Sequence, residues 1–330
     1  MLLHANLHSD VRICIYGAGA VGGHIAARLA AAGEEVSVVA RGAHLEAMRD
    51  KGLTLLHGEE TIRGKVRASA RAAELGPQDA VLVTLKANML GAFAESAAPL
   101  LEPATAVVFV QNGIPWWYAR EQERLDPGGR LAQAIAPQRV IGGVAYSANE
   151  VLEPGVVKNN VPGNNMIVLG EPGREDTPRV LRLRKALERS GLASPPVSDI
   201  RQSIWAKLLQ NLATSSLCTL TGVTVSEVRG DPRLWNVGAR LGVEGRAIAA
   251  ALDVDVEAAP SRPRGGQASG ALGHKPSMLQ DYERGRPMEI ESQFMAPLGL
   301  ARAAGVEAPV LEAVATLLAH KAAAKGLYQI

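Results

Sequence analysis

Cysteine, aromatic side chains, long apolar runs and an excess of either charge are all scarce in this chain, and each scarcity removes a class of function. The two cysteines, Cys14 and Cys218, lie in apolar stretches and read as small buried hydrophobes, which excludes a disulfide framework or thiolate metal site and fits a reducing cytoplasm. With 35 Lys and Arg against 33 Asp and Glu the net charge is +2. No basic run is interleaved with the few aromatics, so neither nucleic acid nor a membrane surface is an expected partner. No segment approaches the roughly 20 apolar residues of a membrane span. Met1 to Asp10 lacks the basic start and apolar core of an export signal. A soluble, cytoplasmic protein with a small-molecule partner is expected. His4 and His8 have the i, i+4 spacing that chelates metal on a helix, but they sit in an unanchored leader, and no metal site is expected.

Hydrophobic residues, by contrast, make up 47% of 330, more than one core comfortably organises, so two domains are expected. The most informative stretch runs from Val11 to Arg41. Val11, Ile13 and Ile15 read as a buried strand, followed by Gly17-Ala18-Gly19-Ala20-Val21-Gly22. Glycines with this spacing make a sharp turn and let a pyrophosphate approach bare backbone at the start of a helix, where free amides and the helix dipole favour an anion. Val21, Ile25 and Leu29 recur every four residues as the buried face of that helix, and Gly33 marks its end. Val36 to Val39 is the next strand. Where an NAD site usually has an acid for the ribose hydroxyls, this chain has Arg41, as expected for the 2′-phosphate of NADP(H). A solvated arginine at a strand end is the competing reading.

The first half continues as alternating strands and helices: Leu53–Leu56 paired with Thr61–Val66, a strand over Asp79–Lys86, a helix over Met89–Leu101 and a strand over Thr105–Val110. Val140–Tyr146 and Met166–Gly170 are further apolar runs around a Gly- and Asn-rich stretch from Glu153 to Asn165, and a charged helix covers Thr177–Ser190. Pro195 and Pro196 mark a boundary. From Asp199 onward the chain reads as helical, apart from a loop over Glu257–Gly273. The expected architecture is α/β: an N-terminal Rossmann-like doubly wound sheet over 11–197, followed by an all-α C-terminal domain over 198–330.

Polar groups at strand ends are the next candidates, because such sheets bind ligands outside their carboxyl edge. Lys86 follows Val81–Leu85, and Gln111-Asn112-Gly113 follows Val107–Val110. A solvated lysine and a plain Asn-Gly turn are the structural alternatives. In the second half Ser203, Lys207, Asn211 and Ser215 form one helical stripe, backed by Ile204, Leu208 and Leu212. A lysine among short polar side chains suits a cleft better than a solvent face, which usually mixes long acids and bases. Ser277 with Gln280 fits a capping box, and Pro287 a first helical position with Glu289 in the first turn. Spacing alone assigns these last residues no chemistry.

Taken in order, the glycine motif, Arg41, Leu85-Lys86-Ala87, Gln111-Asn112-Gly113, Trp205-Ala206-Lys207-Leu208-Leu209-Gln210-Asn211, Lys275-Pro276-Ser277-Met278-Leu279-Gln280-Asp281 and Gly285-Arg286-Pro287-Met288-Glu289-Ile290-Glu291 resemble the ketopantoate reductase (2-dehydropantoate 2-reductase) family from about Val11 to the C-terminus. The resemblance implies NADPH-dependent reduction of a 2-oxo acid in the cleft between the two domains, with ketopantoate as the leading substrate. It implies that Lys207 donates the proton as hydride reaches the ketone carbon, and that Glu289 holds and orients substrate. Asn112, Asn211 and Ser277 match substrate contacts, while Arg41, Lys86 and Asn112 match cofactor-side positions. The residue types suit the chemistry, because an ammonium stabilises the alkoxide that hydride delivery creates and then protonates it.

Departures from the family pattern concern the substrate. Ser215 and Val225 stand where well-known members have asparagine, and Ser292-Gln293-Phe294-Met295 replaces a usual Asn-Gly continuation. With Trp116-Trp117 and the long loop before Ser277, these changes imply a remodelled pocket. A reductase for another branched or bulkier 2-oxo acid, and a non-catalytic NADP(H)-binding regulator, are the alternatives; retention of Lys207 and Glu289 argues against the second. The oligomeric state is open, with a homodimer as the assembly considered.

Overall fold

The computed structural model describes residues 11–173, 176–261, 273 and 275–330; the leader with His4 and His8, and most of the loop before Ser277, lie outside the described residues. The N-terminal part contains β1 (Arg12–Tyr16), α1 (Ala20–Ala31), β2 (Glu35–Val39), α2 (Gly42–Lys51), β3 (Leu53–His57), β4 (Glu60–Gly64) and β5 (Arg67–Ser69). It continues through β6 (Gln78–Val83), α3 (Leu90–Ser96), β7 (Leu101–Val110), α4 (Arg130–Ala134), β8 (Val140–Tyr146), β9 (Asn149–Glu153), β10 (Val156–Asn159), β11 (Met166–Gly170) and α5 (Pro178–Arg189). The helical part comprises α6 (Ile200–Thr221), α7 (Val225–Gly230), α8 (Pro232–Ala251), α9 (Ser277–Glu283), a π-helical turn (Glu291–Met295), α10 (Ala296–Ala303) and α11 (Pro309–Ala323). Among the described residues no helix is long and apolar enough to cross a membrane.

Seven strands form the main sheet in the order β11-β8-β7-β6-β1-β2-β5, parallel except for β11. The order reverses at β1, so a crevice opens between the carboxyl ends of β1 and β6, the usual ligand position in such sheets. The remaining strands make a second sheet, β4-β3-β10-β9. This sheet covers the side of α1 that faces away from the main sheet. Ile25 and Leu29 therefore share one apolar cluster with Ile13 and Ile15 below and with Leu53, Leu55 and Val157 above. An Ala- and Gly-rich helix suits that sandwich, because small side chains let two sheets approach it. The capping at Gly33 is as expected: Gly33 N–H donates to Ala30 and Glu34 N–H to Leu29, which satisfies the last carbonyls of α1.

Several expectations need correction. The helix expected over Met89–Leu101 ends at Ser96, because Pro99 lies in a short 3₁₀ turn and the chain turns into β7 at Leu101. The pairing of β9 and β10 as a hairpin, which runs into the Gly- and Asn-rich stretch Glu153–Asn165, has no counterpart among the expected strands. Trp116 and Trp117 are core residues rather than pocket walls. Trp116 is 1% exposed and meets Phe109 edge-to-face at 5.4 Å between centroids. α2, between the second and third strands, has no counterpart in the sequence reading.

α6 is the hub of the helical part, packing on α7, α8, α9 and α11 and also against β8 and β11. Tyr16, Phe109, Ile114 and Tyr146 from the sheet side join Ile204, Trp205, Leu208 and Phe294 in one apolar cluster. The two parts thus share a core. At its centre Gly113 (φ +78°) turns the chain after β7, where an added Cβ would lie 2.4 Å from the Ser292 carbonyl oxygen. Ile114 N–H donates to the same oxygen at 2.7 Å. Gly113→Ala is expected to destabilise the protein by about 1–3 kcal/mol from the left-handed backbone alone. A urea titration showing wild-type stability would place this contact outside the determinants of the fold.

Candidate active site

The glycine turn and the crevice are built together. Gly17 (φ +104°) leaves β1 with its N–H donating to Val39 at 3.0 Å, and Thr84 N–H donates to Tyr16 at 3.0 Å. Ala20, Val21 and Gly22 form the first turn of α1; a Cβ on Gly22 would fall 2.1 Å from the Gly17 carbonyl oxygen. At Gly19, by contrast, a Cβ would meet nothing within 4 Å, and no side chain caps the start of α1. Uncapped amides facing open space beside a glycine backbone fit the pyrophosphate of a dinucleotide.

A cavity of about 530 Å³ lies against this turn, lined in part by Gly17, Ala18, Gly19, Arg41, His44 and Arg286. Arg41 is exposed at the start of α2, where its guanidinium has no ion pair among the described residues. Arg286 and His44 are site residues the sequence reading missed. Arg286 comes from the helical part, reaching the cavity from the segment between α9 and the π turn. His44 accepts the Gly155 N–H on Nδ1 at 2.8 Å, so its proton resides on Nε2, which donates to the Ala18 carbonyl at 2.7 Å. The imidazole thereby ties the glycine turn to the second sheet.

The second group of polar residues gathers where the end of β6 meets the segment before the π turn. Lys86 Nζ lies 2.6 Å from Asp281 Oδ2, and the Ala87 N–H donates to Glu289 Oε1 at 3.0 Å. Asn112 lies beside Glu289, close enough to favour its charged form. Glu289 borders a cavity of about 770 Å³, so protein crowds its carboxylate on most sides while one side stays open. Burial raises its pKa above the ordinary carboxylate value, with help from the negative charge of Asp281; the Ala87 N–H, the Lys86 charge and the Asn112 amide pull the other way.

The stripe on α6 faces inward. Ser203 and Ser215 are buried, and Lys207 and Asn211 half-buried. Asn211 Nδ2 donates to Gln293 Oε1 at 3.1 Å, four residues beyond Glu289, and the Lys207 ammonium sits 5.1 Å from the centre of the Tyr146 ring. Ser277 is exposed at the start of α9, on the side that carries Asp281 one turn later. It forms no capping box: Pro276 is the capping residue, and the Gln280 amide reaches back to the Lys275 carbonyl at 2.8 Å. Pro287 is not a first helical residue either. The helical run begins at Ile290, so Glu289 stands just before it, pointed at Ala87. Val225 packs with Leu217, Cys218, Val228 and Leu279, a purely apolar role. The structure thus unites Lys86, Asn112 and Glu289, adds Asp281, and sets Asn211 beside the same π turn.

Residues 13–173 match the family model described as ketopantoate reductase PanE/ApbA, and residues 199–322 match its C-terminal counterpart. The chain is 43% identical over 329 residues to a 2-dehydropantoate 2-reductase of Mesorhizobium japonicum, covering 96% of this chain and all of that one. The crystal structure of 2-dehydropantoate 2-reductase from Geobacter metallireducens superposes with a TM-score of 0.78 at 29% identity, over 93% of this chain and 98% of that one. A D-mandelate dehydrogenase solved with NADH and anilino(oxo)acetate shares the fold at 22% identity, with a TM-score of 0.80 over 96% of this chain and 99% of that one.

The raised pKa of Glu289 has a consequence for stability. The folded state holds this proton to higher pH than the unfolded chain, so the contribution is complete below the ordinary carboxylate range and is lost as pH rises through the elevated value. Glu289→Gln should remove that decline, and its urea midpoint relative to wild type should rise as the pH is taken upward from the ordinary carboxylate range. An unchanged difference over that rise would show that the carboxyl titrates normally.

Proposed function

The chain belongs to the ketopantoate reductase family, and from that premise we propose that it reduces 2-dehydropantoate to pantoate with NADPH. The observation that carries the reading is the meeting of Asn112, from the end of β7, with Glu289 from the helical part, beside the inward-facing α6 stripe that holds Lys207 and Asn211. It supports a cleft with charged and amide groups from both parts. We set the boundary between residues 197 and 198, a choice supported by the bridge that ties Ala193 to Met166 and by Asp199, which caps the first turn of α6. Cys14 and Cys218 are both free and buried, and burial pushes their thiols up to about 12 and about 11, so they are inert; two unpaired thiols fit the reducing, cytoplasmic setting we propose.

When bound, NADPH would supply the hydride for the ketone carbon. Gly17 to Gly22 would hold its pyrophosphate on backbone amides, and Arg41 would take the 2′-phosphate. Lys86 and Asn112 stand on the cofactor side of the cleft. Lys207 brings positive charge to the ketone oxygen as that oxygen gains an electron pair, and then gives it a proton. Asn112, Asn211, Ser277 and Glu289 hold the substrate, with Glu289 fixed by Ala87 and Asn112 so that its orientation is set before substrate arrives.

A second reading, a preference for another branched 2-oxo acid, is favoured by the apolar packing of Val225 and by Ser215, since both positions lack the amide that would grip a substrate hydroxyl. An apolar pocket separates substrates by only about 1–3 kcal/mol per methylene, whereas one built around a hydroxyl discriminates far more.

Three measurements test the assignment. NADPH oxidation should proceed with ketopantoate, and its kcat/KM should exceed that for 2-oxoisovalerate, which lacks the hydroxymethyl group, by a modest factor that Ser215→Asn increases. Failure of ketopantoate to support turnover while a bulkier 2-oxo acid does would overturn the substrate. Lys207→Ala should cut kcat by about 10²–10⁴ with NADPH binding retained; near-normal turnover would return Lys207 to an ordinary helix lysine. Arg41→Ala should weaken NADPH by about tenfold or more and leave NADH unaffected, the range of a charge-assisted contact.

A further inference from the structure

We propose that Tyr146 is a positioning residue for the reaction, holding the Lys207 ammonium on the face of its ring; the inference rests on the reading of Lys207 as proton donor. Three observations meet here. The Lys207 Nζ lies 5.1 Å from the Tyr146 ring centroid, inside the range in which the ring quadrupole attracts a cation. The ring is 3% exposed, so the attraction acts away from bulk water, where it is strongest. The phenol hydroxyl donates to the Ser203 backbone carbonyl at 3.2 Å. Ser203 is one helical turn before Lys207 on α6, and the hydrogen bond anchors the ring beneath the lysine at a fixed point of the same helix.

The ring face steadies a positive charge through its quadrupole, which adds no negative charge to repel an anionic 2-oxo acid. Because Tyr146 ends β8 of the main sheet and Lys207 lies on α6, the contact also registers the donor against the sheet that carries the glycine turn.

Side chains at position 146 separate the ring from the hydroxyl. Tyr146→Phe keeps the ring and should retain kcat within about threefold. Tyr146→Leu should lower kcat by about three- to thirtyfold, the range of a partly buried cation–ring contact, with the KM for NADPH unchanged. In a series of phenylalanines at 146 carrying successive ring fluorines, which drain the quadrupole while preserving shape, kcat should fall stepwise. An activity-independent readout uses protein whose lysines carry ¹³C-methyl groups, the Lys207 signal being assigned by its loss in Lys207→Arg. That signal should be shifted upfield by the ring current and should move back in Tyr146→Leu. A flat fluorine series, or equal kcat for the Phe and Leu variants, would overturn the proposal. An upfield signal in a wild type that reduces no 2-oxo acid would instead retain the contact and remove the proposed function.

Discussion

The contact between the turn after β7 and the Ser292 carbonyl governs the rest of the molecule. Two parts with separate secondary structure share a core only if their backbones approach closely at some point, and here the approach is too close for any side chain at position 113. The Ile114 N–H and the missing Cβ of Gly113 together fix the distance between the edge of the sheet and the π turn. Everything polar in the cleft follows from that distance. Asn112 precedes the turn and meets Glu289; Gln293 follows the carbonyl and meets Asn211. A π-helical turn at this place is consistent with the constraint, since an extra residue per turn re-aims the side chains on either side of it.

The second sheet explains the other half of the site. By covering α1 it converts an ordinary Rossmann helix into a buried one, down to His24, whose imidazole is 0% exposed, accepts from Asn149 at 3.1 Å and is kept neutral by burial, its pKa pushed down to about 3. The same sheet supplies Gly155, which holds His44, which holds the Ala18 carbonyl. The glycine turn is therefore braced from above by groups distant in sequence. A bare Gly-rich loop would lose more conformational entropy on binding a ligand than one already held in place.

What could be read from the sequence follows physical locality. The strand, glycine turn and helix from Val11 to Gly33 were legible because backbone geometry and apolar spacing act within a few residues. The α6 stripe was legible for the same reason, and the structure turns it inward. The pairing of Asp281 with Lys86, the brace at His44 and the reach of Arg286 into the cavity were not legible, because each joins residues far apart in the chain and none carries a local signature. The capping box at Ser277 failed because the cap falls one residue earlier, at Pro276, which leaves the Gln280 amide to reach the Lys275 carbonyl instead. The helix start expected at Pro287 is displaced to Ile290, and the Met288 N–H donates instead to the Leu327 carbonyl at 3.0 Å, a contact between residues far apart in the chain.

The charges in the cleft form an unequal set, and the inequality has a chemical use. Lys86 sits between two carboxylates and gives its closest contact to Asp281, leaving Glu289 to an N–H, an amide and a more distant positive charge. Glu289 is the member of the pair whose proton affinity is raised, chiefly by its burial. A 2-oxo acid brings its own carboxylate into this cleft under the proposed reaction. Two fully ionised protein acids would repel it, whereas one acid neutralised by a lysine and another that readily shares a proton offer hydrogen bonds without adding a second full negative charge. Burial is the main reason that Glu289 keeps its proton, and Lys86, whose closest partner is Asp281, opposes it only in part.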